Sequence, residues 1–222
     1  MKKYIIIDSE SNGPYVTAEV WQIAWVVTDC HFAPLKTDSG FLMPISRMDP
    51  RAKEITGFDR ATLKKNAEPS DKLYARFLRD LRGCQAIIGH SVDLDVAKLI
   101  HDAERRCTPA LADRVSTALS TTQQYDTMSH TVDFVGKVIT RCIWRYGVPV
   151  YLAKVGYPSL LDLARKLGVA QEDIRLHSAD GDVELTRRCM AEIKKSHRVL
   201  MKDLMHGEVV NPNPERAWYL DT

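Results

Sequence analysis

The stretch Tyr4-Ile5-Ile6-Ile7-Asp8-Ser9-Glu10-Ser11 decides the reading of this chain. A continuous apolar, partly β-branched run marks a strand buried on both faces, and here it stops at an aspartate. Side chains two apart in a strand share a face, so Asp8 and Glu10 project together if the extended backbone continues through them. Carboxylates that close repel strongly where water is scarce, and a divalent cation relieves the repulsion.

Outward from this strand, Asn12-Gly13-Pro14 punctuates a turn, and Val20 to Val27 (VWQIAWVV) reads as a second long strand. Phe41-Leu42-Met43 before Pro44 reads as a third, which suggests an antiparallel meander. Apolar spacing predicts a helix over Asp71 to Leu81. A short buried strand at Ala86-Ile87-Ile88 and a helix over Val92 to Arg106 follow. That strand-then-helix junction places Gly89 to Asp95 at the mouth of a sheet, where sites of α/β folds collect. Between Pro109 and Gly156 the pattern is mixed. A Ser/Thr/Gln stretch (Ser116 to Gln124) precedes a short strand at Tyr125-Asp126, a helix-like piece near Val132 to Trp144 and a turn at Gly147-Val148-Pro149. Helices are expected over Leu160 to Leu167, closed by Gly168, and over Ala179 to Lys202, with a poorly ordered tail after Gly207.

The chain has 222 residues, 45% hydrophobic and 27% charged, which suits one globular domain and excludes disordered and fibrous classes. No apolar run approaches the roughly 20 residues that cross a bilayer. The opening Met1-Lys2-Lys3-Tyr4-Ile5-Ile6-Ile7 meets Asp8 and Glu10 too early for a signal-peptide core, so a soluble cytoplasmic protein without a membrane partner is expected. Five scattered cysteines without a C-x-x-C pair point to reduced core thiols. A net charge of +2 excludes a globally basic nucleic-acid binder, so any such contact is local, end-directed and modest.

Acids punctuate three apolar elements: Asp8 and Glu10 after the first strand, Asp95 after Gly89-His90-Ser91, and Asp182 five positions beyond His177. Hard oxygen ligands suit Mg2+ or Mn2+, and four carboxylates at one sheet edge suffice for two ions per active site. His177 would deprotonate an attacking water near neutral pH. Each element also has a plainer reading. Asp95, Asp180 and Asp182 in first helical turns complement the helix dipole, with Ser178 as a cap, and His177 serves as an ordinary loop histidine.

The same residues carry a resemblance. IIIDSES resembles the first motif of the DEDDh family of 3′-to-5′ exonucleases, which includes polymerase proofreading domains and ribonuclease T. GHSVDLD resembles the second motif, with Ser91 where Asn is common and Leu94 where an aromatic is common, and HSADGD resembles the third. Ile55-Thr56-Gly57-Phe58, Asp126-Thr127 and Pro158-Ser159-Leu160-Leu161 add subsidiary matches. The resemblance implies an α/β fold, a ribonuclease H-like mixed five-stranded sheet flanked by helices. It further implies that Asp8, Glu10 and Asp182 bind a main ion, that Asp8 bridges to a second ion completed by Asp95, and that His177 is the base. Residues 1–206 would form the exonuclease domain, with an insertion-like segment around 129–157 and a C-terminal tail over 207–222.

For such an enzyme, Ser11, Asn12 and Gly13 offer donors to a terminal nucleotide, with His90 and Ser91 beside them. Trp21 or Trp25 reads as core more readily than as a stacking platform. Arg187 and Arg188, with Lys194, Lys195, Arg198 and Lys202, form either a solvated helix face or a phosphate track, and Lys137, Arg141 and Arg145 are a second candidate. The expected activity is metal-dependent 3′-to-5′ exonucleolytic hydrolysis of single-stranded DNA or RNA, releasing nucleoside 5′-monophosphates. An RNA-trimming exoribonuclease or oligoribonuclease, and an inactive nucleic-acid-binding module on the same fold, are the alternatives. The expected partner is a single-stranded 3′ end, with a polymerase or replication and repair partner and a homodimer left open.

Overall fold

The computed structural model describes residues 2–44, 46–56, 58–145 and 148–206. In chain order the elements are β1 (Lys3–Ser11), β2 (Val20–Asp29), β3 (Pro34–Phe41), α1 (Pro50–Thr56), α2 (Arg60–Asn66), α3 (Ser70–Leu81), β4 (Ala86–Gly89), α4 (Val92–Arg106) and α5 (Pro109–Thr121). They continue with β5 (Gln123–Asp126), α6 (Thr127–His130), α7 (Val132–Val135), β6 (Val138–Arg145), β7 (Val148–Val155), α8 (Leu160–Leu167), α9 (Ala179–Ser196) and α10 (Arg198–His206). Five strands form one mixed sheet in the order β3-β2-β1-β4-β5, and β6 and β7 form a separate antiparallel pair.

β1 is central, antiparallel to β2 and parallel to β4. Its alternating side chains enter two cores. Ile5 and Ile7 pack with Trp25, Phe77, Leu99 and Val115 on the α3–α5 side, while Tyr4 and Ile6 pack with Val26, Leu163, Val183 and Met190 on the α8–α10 side. Burial on both faces is why the strand reads as an unbroken apolar run, and each such side chain contributes about 1.5–3 kcal/mol. Extended backbone continues through Ser11, so Asp8 and Glu10 share the Ile6 face while Ser9 and Ser11 share the Ile7 face.

Several elements depart from expectation. The third strand is Pro34–Phe41, a sheet-edge strand with half its residues exposed and no apolar run, so the apolar Phe41-Leu42-Met43 marks its end and not its body. Pro109–Thr121 is a helix that buries Leu111, Ala112, Val115 and Leu119, in a region whose pattern reads as mixed and where only the Ser/Thr/Gln stretch from Ser116 to Gln124 stands out in sequence. The helix-like piece near Val132 to Trp144 is one turn, α7, ended by Gly136 at φ 63°, followed by the β6–β7 hairpin. The long last helix breaks at His197, and α10 resumes at Arg198. Of the cysteines expected in the core, Cys189 is buried and Cys142 is exposed. The expected tail at 207–222 and Gly57 of the Ile55-Thr56-Gly57-Phe58 match lie outside the described residues. Among those described, no helix is long and apolar enough to cross a membrane.

Candidate active site

Three carboxylates converge where β1 ends and α9 begins. Asp8, Glu10 and Asp182 each present an oxygen, and these oxygens lie within 4.8 Å of one another. Asp182 reaches this point because α9 starts at Ser178, whose side chain accepts from the Gly181 N–H as an N-cap. Gly181 is required by close approach: a Cβ there would lie 1.9 Å from the Arg175 carbonyl oxygen. His177 stands just before the cap, exposed and in the left-handed region at φ 57°.

Asp95 approaches from the first turn of α4, on the other side of β1. Its Oδ1 accepts the Ser9 N–H at 3.2 Å and the Ser9 hydroxyl at 2.6 Å. The α4 start is itself tied down, since Ser91, also left-handed at φ 83°, donates its N–H to Asp126 Oδ1 at 2.7 Å. Asp126 also accepts from the Met128 N–H and the Ser129 hydroxyl, so this one side chain links β5 to the start of α4. Two of the three described non-glycine residues at positive φ, Ser91 and His177, thus flank the acids, where backbone strain commonly gathers.

Burial raises all four acids, and for Asp8 and Glu10 the neighbouring carboxylates add to it. Desolvation first, then the charges of Asp95, Asp182 and Glu10, push Asp8 well above the usual carboxylate range. Desolvation and Asp182 raise Glu10 to about 7. Desolvation raises Asp95 to about 7 against the Ser9 hydrogen bonds and Lys98, and raises Asp182 to about 6 against His177. An all-oxygen donor set with this mutual repulsion fits a hard divalent cation.

Other expected contact residues are engaged within the chain. Ser11 Oγ donates to the Gly13 carbonyl, Asn12 Oδ1 accepts the Glu19 N–H, and the Asn12 N–H donates to the Glu19 carbonyl. These bonds shape the β1–β2 loop. His90 bridges Thr127 and the Pro158 carbonyl through its two ring nitrogens, each at 3.0 Å. Arg187 and Arg188, expected on a phosphate track or a solvated face, are drawn inward. Both pair with Glu184, Arg187 also donates to the Phe32 carbonyl, and Arg188 holds Asp173 and the Ala170 carbonyl. Trp25 is fully buried and donates to Asp80, and Trp21 is packed between Phe41 and Phe58.

Two residues, one in the β1–β2 loop and one on α4, were not singled out from sequence. Tyr15, 53% exposed, stands in the β1–β2 loop, its only signal an aromatic directly after the Gly13-Pro14 turn. Lys98 is buried and donates to Ser11 Oγ at 2.9 Å; its signal is a cation one helical turn beyond Asp95 on an apolar face.

Among solved structures the chain is similar to an exonuclease I described for how processivity is achieved, with a TM-score of 0.69 and 18% identity over 92% of this chain and 43% of that one. It is also similar to E. coli exonuclease I in complex with a dA16 oligonucleotide, at TM-score 0.67 and 17% identity, covering 92% of this chain and 43% of the other. The fold is ribonuclease H-like. A moderately thermophilic exonuclease I from Methylocaldum szegediense shares it at TM-score 0.66 and 16% identity, over 91% and 42% of the two chains. This chain therefore spans less than half the length of these neighbours. No family model matches the sequence, and no curated protein does.

Proposed function

We propose that this protein is a metal-dependent 3′-to-5′ exonuclease of the DEDDh type, acting on single-stranded DNA ends and releasing nucleoside 5′-monophosphates. The observation that carries the reading is the convergence of Asp8, Glu10 and Asp182 within 4.8 Å at the end of a ribonuclease H-like central strand. Similarity to exonuclease I bound to a dA16 oligonucleotide favours DNA over RNA as the first substrate to test.

Asp8, Glu10 and Asp182 would hold Mg2+ or Mn2+, whose charge, when bound, stabilises the negative charge that develops on the phosphodiester. His177, exposed just before α9, takes the proton from the attacking water. Asp95 completes the acidic ring from α4, positioned by Ser9. Tyr15 supplies an exposed ring on which a base stacks without sequence readout. The mononucleotide-releasing unit comprises residues 1–206, with the β6–β7 hairpin as an insertion of the 129–157 segment.

Degradation of 3′-labelled and 5′-labelled single-stranded DNA and RNA, with Mg2+, Mn2+ or EDTA, tests polarity, sugar preference and metal need together. Immediate release of the 3′ label as a mononucleotide is expected. No cleavage with either metal would exclude the activity.

A further inference from the structure

The basic residues of the last two helices divide into two sets. Arg187 and Arg188 are neutralised by Glu184 and Asp173, whereas Lys194, Arg198 and Lys202 are exposed and make no ion pair among the described residues. Lys195 beside them is met by Glu192 alone, at 3.5 Å. These four cations line an open cavity of about 1060 Å3, with Lys2 ahead of β1 and the half-buried ring of Tyr125 on β5. No carboxylate lines it among the described residues. Like charges gathered without counter-charges repel one another, and an anion held between them relieves the repulsion.

This groove is separate from the acids. Lys2 precedes the start of β1 and the acids stand at its end, and the twelve residues of α9 from Asp182 to Lys194 span about 18 Å. Cations enter it from two sides, Lys2 from the sheet and Lys194, Arg198 and Lys202 from the helices. That arrangement suits a narrow linear polyanion better than a flat membrane or the rounded surface of a folded protein. Tyr125 adds a ring, and phosphate contacts combined with stacking hold single strands without sequence readout. We propose that the groove is a second single-strand site, holding the phosphate backbone upstream of a 3′ end placed at the acids. The occupant is taken from the exonuclease reading above, on which the assignment rests. A strand too short to reach from the acids to the groove loses this second contact.

Fluorescence anisotropy of a 5′-labelled oligodeoxythymidylate of about 30 nucleotides, titrated with the full chain in EDTA at about 50 to 200 mM salt, tests the groove. Lys194→Gln, Arg198→Gln and Lys202→Gln combined should weaken binding about ten-fold or more at the lowest salt. The slope of log affinity against log salt should fall by about 2, at about 0.7 for each phosphate contact on a single strand. Exchanging the cations, by Lys194→Arg, Arg198→Lys and Lys202→Arg, should keep both values. Lys72→Gln, Arg79→Gln and Arg82→Gln, on and just after α3, remove the same charge from the other side of the sheet and should leave the slope unchanged. Affinity and slope unchanged in a folded groove variant, or lost equally in the α3 variant, would overturn the groove assignment and leave the active-site reading standing. A groove variant that keeps its DNA affinity but loses phosphatidylserine vesicles or polyglutamate would overturn it too, giving the groove to another polyanion. Groove-dependent DNA binding without release of a 3′ label in Mg2+ or Mn2+ would overturn the exonuclease reading alone.

Discussion

Ser9 and Asp95 are joined twice, the Ser9 N–H at 3.2 Å and its hydroxyl at 2.6 Å both donating to Asp95 Oδ1. This pair ties the central strand to the first turn of α4 and favours the ionised aspartate. Ser9→Ala removes the hydroxyl and should raise the Asp95 carboxyl further above about 7. Near pH 8 the loss is worth about 1.5–3 kcal/mol, the range for a hydrogen bond to a charged group. Denaturant unfolding, together with an acid limb of the activity profile moved to higher pH, is the check.

The raised carboxyls make stability without metal depend on pH. Asp8 lies well above the usual range, Glu10 and Asp95 at about 7 and Asp182 at about 6. Between about pH 4 and 7 the folded state holds more protons than the unfolded chain, so stability falls as pH rises through this window. In EDTA the Tm should decline from pH 5 to pH 8, and Mg2+ or Mn2+ should restore it most at pH 8. A Tm that rises over the window in EDTA would contradict the electrostatic picture.

Gly181 sets the path of the His177 loop, because any side chain there meets the Arg175 carbonyl. Gly181→Ala should displace the loop or the first turn of α9, costing about 1–3 kcal/mol by overpacking. Loss of activity should exceed the loss of fold, measured as turnover at a temperature where circular dichroism shows the variant still native.

Arg188 joins α9 to the 170–173 segment through Asp173 and the Ala170 carbonyl. Arg188→Ala should therefore lower Tm and leave the salt dependence of oligonucleotide affinity unchanged. A flatter salt slope would return this residue to the phosphate contacts.

The central site was legible because its residues sit where apolar runs stop. The apolar run of β1 stops at Asp8 inside the strand, while Gly89 to Asp95 and Ser178 to Asp182 span the starts of α4 and α9. β3 was not legible, since Pro34–Phe41 has a polar middle from Lys36 to Ser39 and half of the strand faces solvent, leaving no alternation to detect. The hairpin was misread because Lys137, Arg141 and Arg145 recur every four residues. That interval satisfies a helical face and an alternating strand alike, and the β-branched residues of Val138–Arg145 were the better guide. Arg187 and Arg188 looked free because their partners, Asp173 and the Phe32 carbonyl, are distant in sequence. Lys98 was hidden for the same reason, as Ser11 lies 87 residues away.

The most direct measurement compares wild type and Asp8→Asn in Mg2+ on a 3′-labelled single-stranded oligonucleotide, alongside their melting in EDTA at pH 8. The account predicts that Asp8→Asn abolishes release of the mononucleotide while melting at or above the wild-type temperature, because one mutually repelling carboxylate is gone. Retained turnover in a folded Asp8→Asn protein would contradict it.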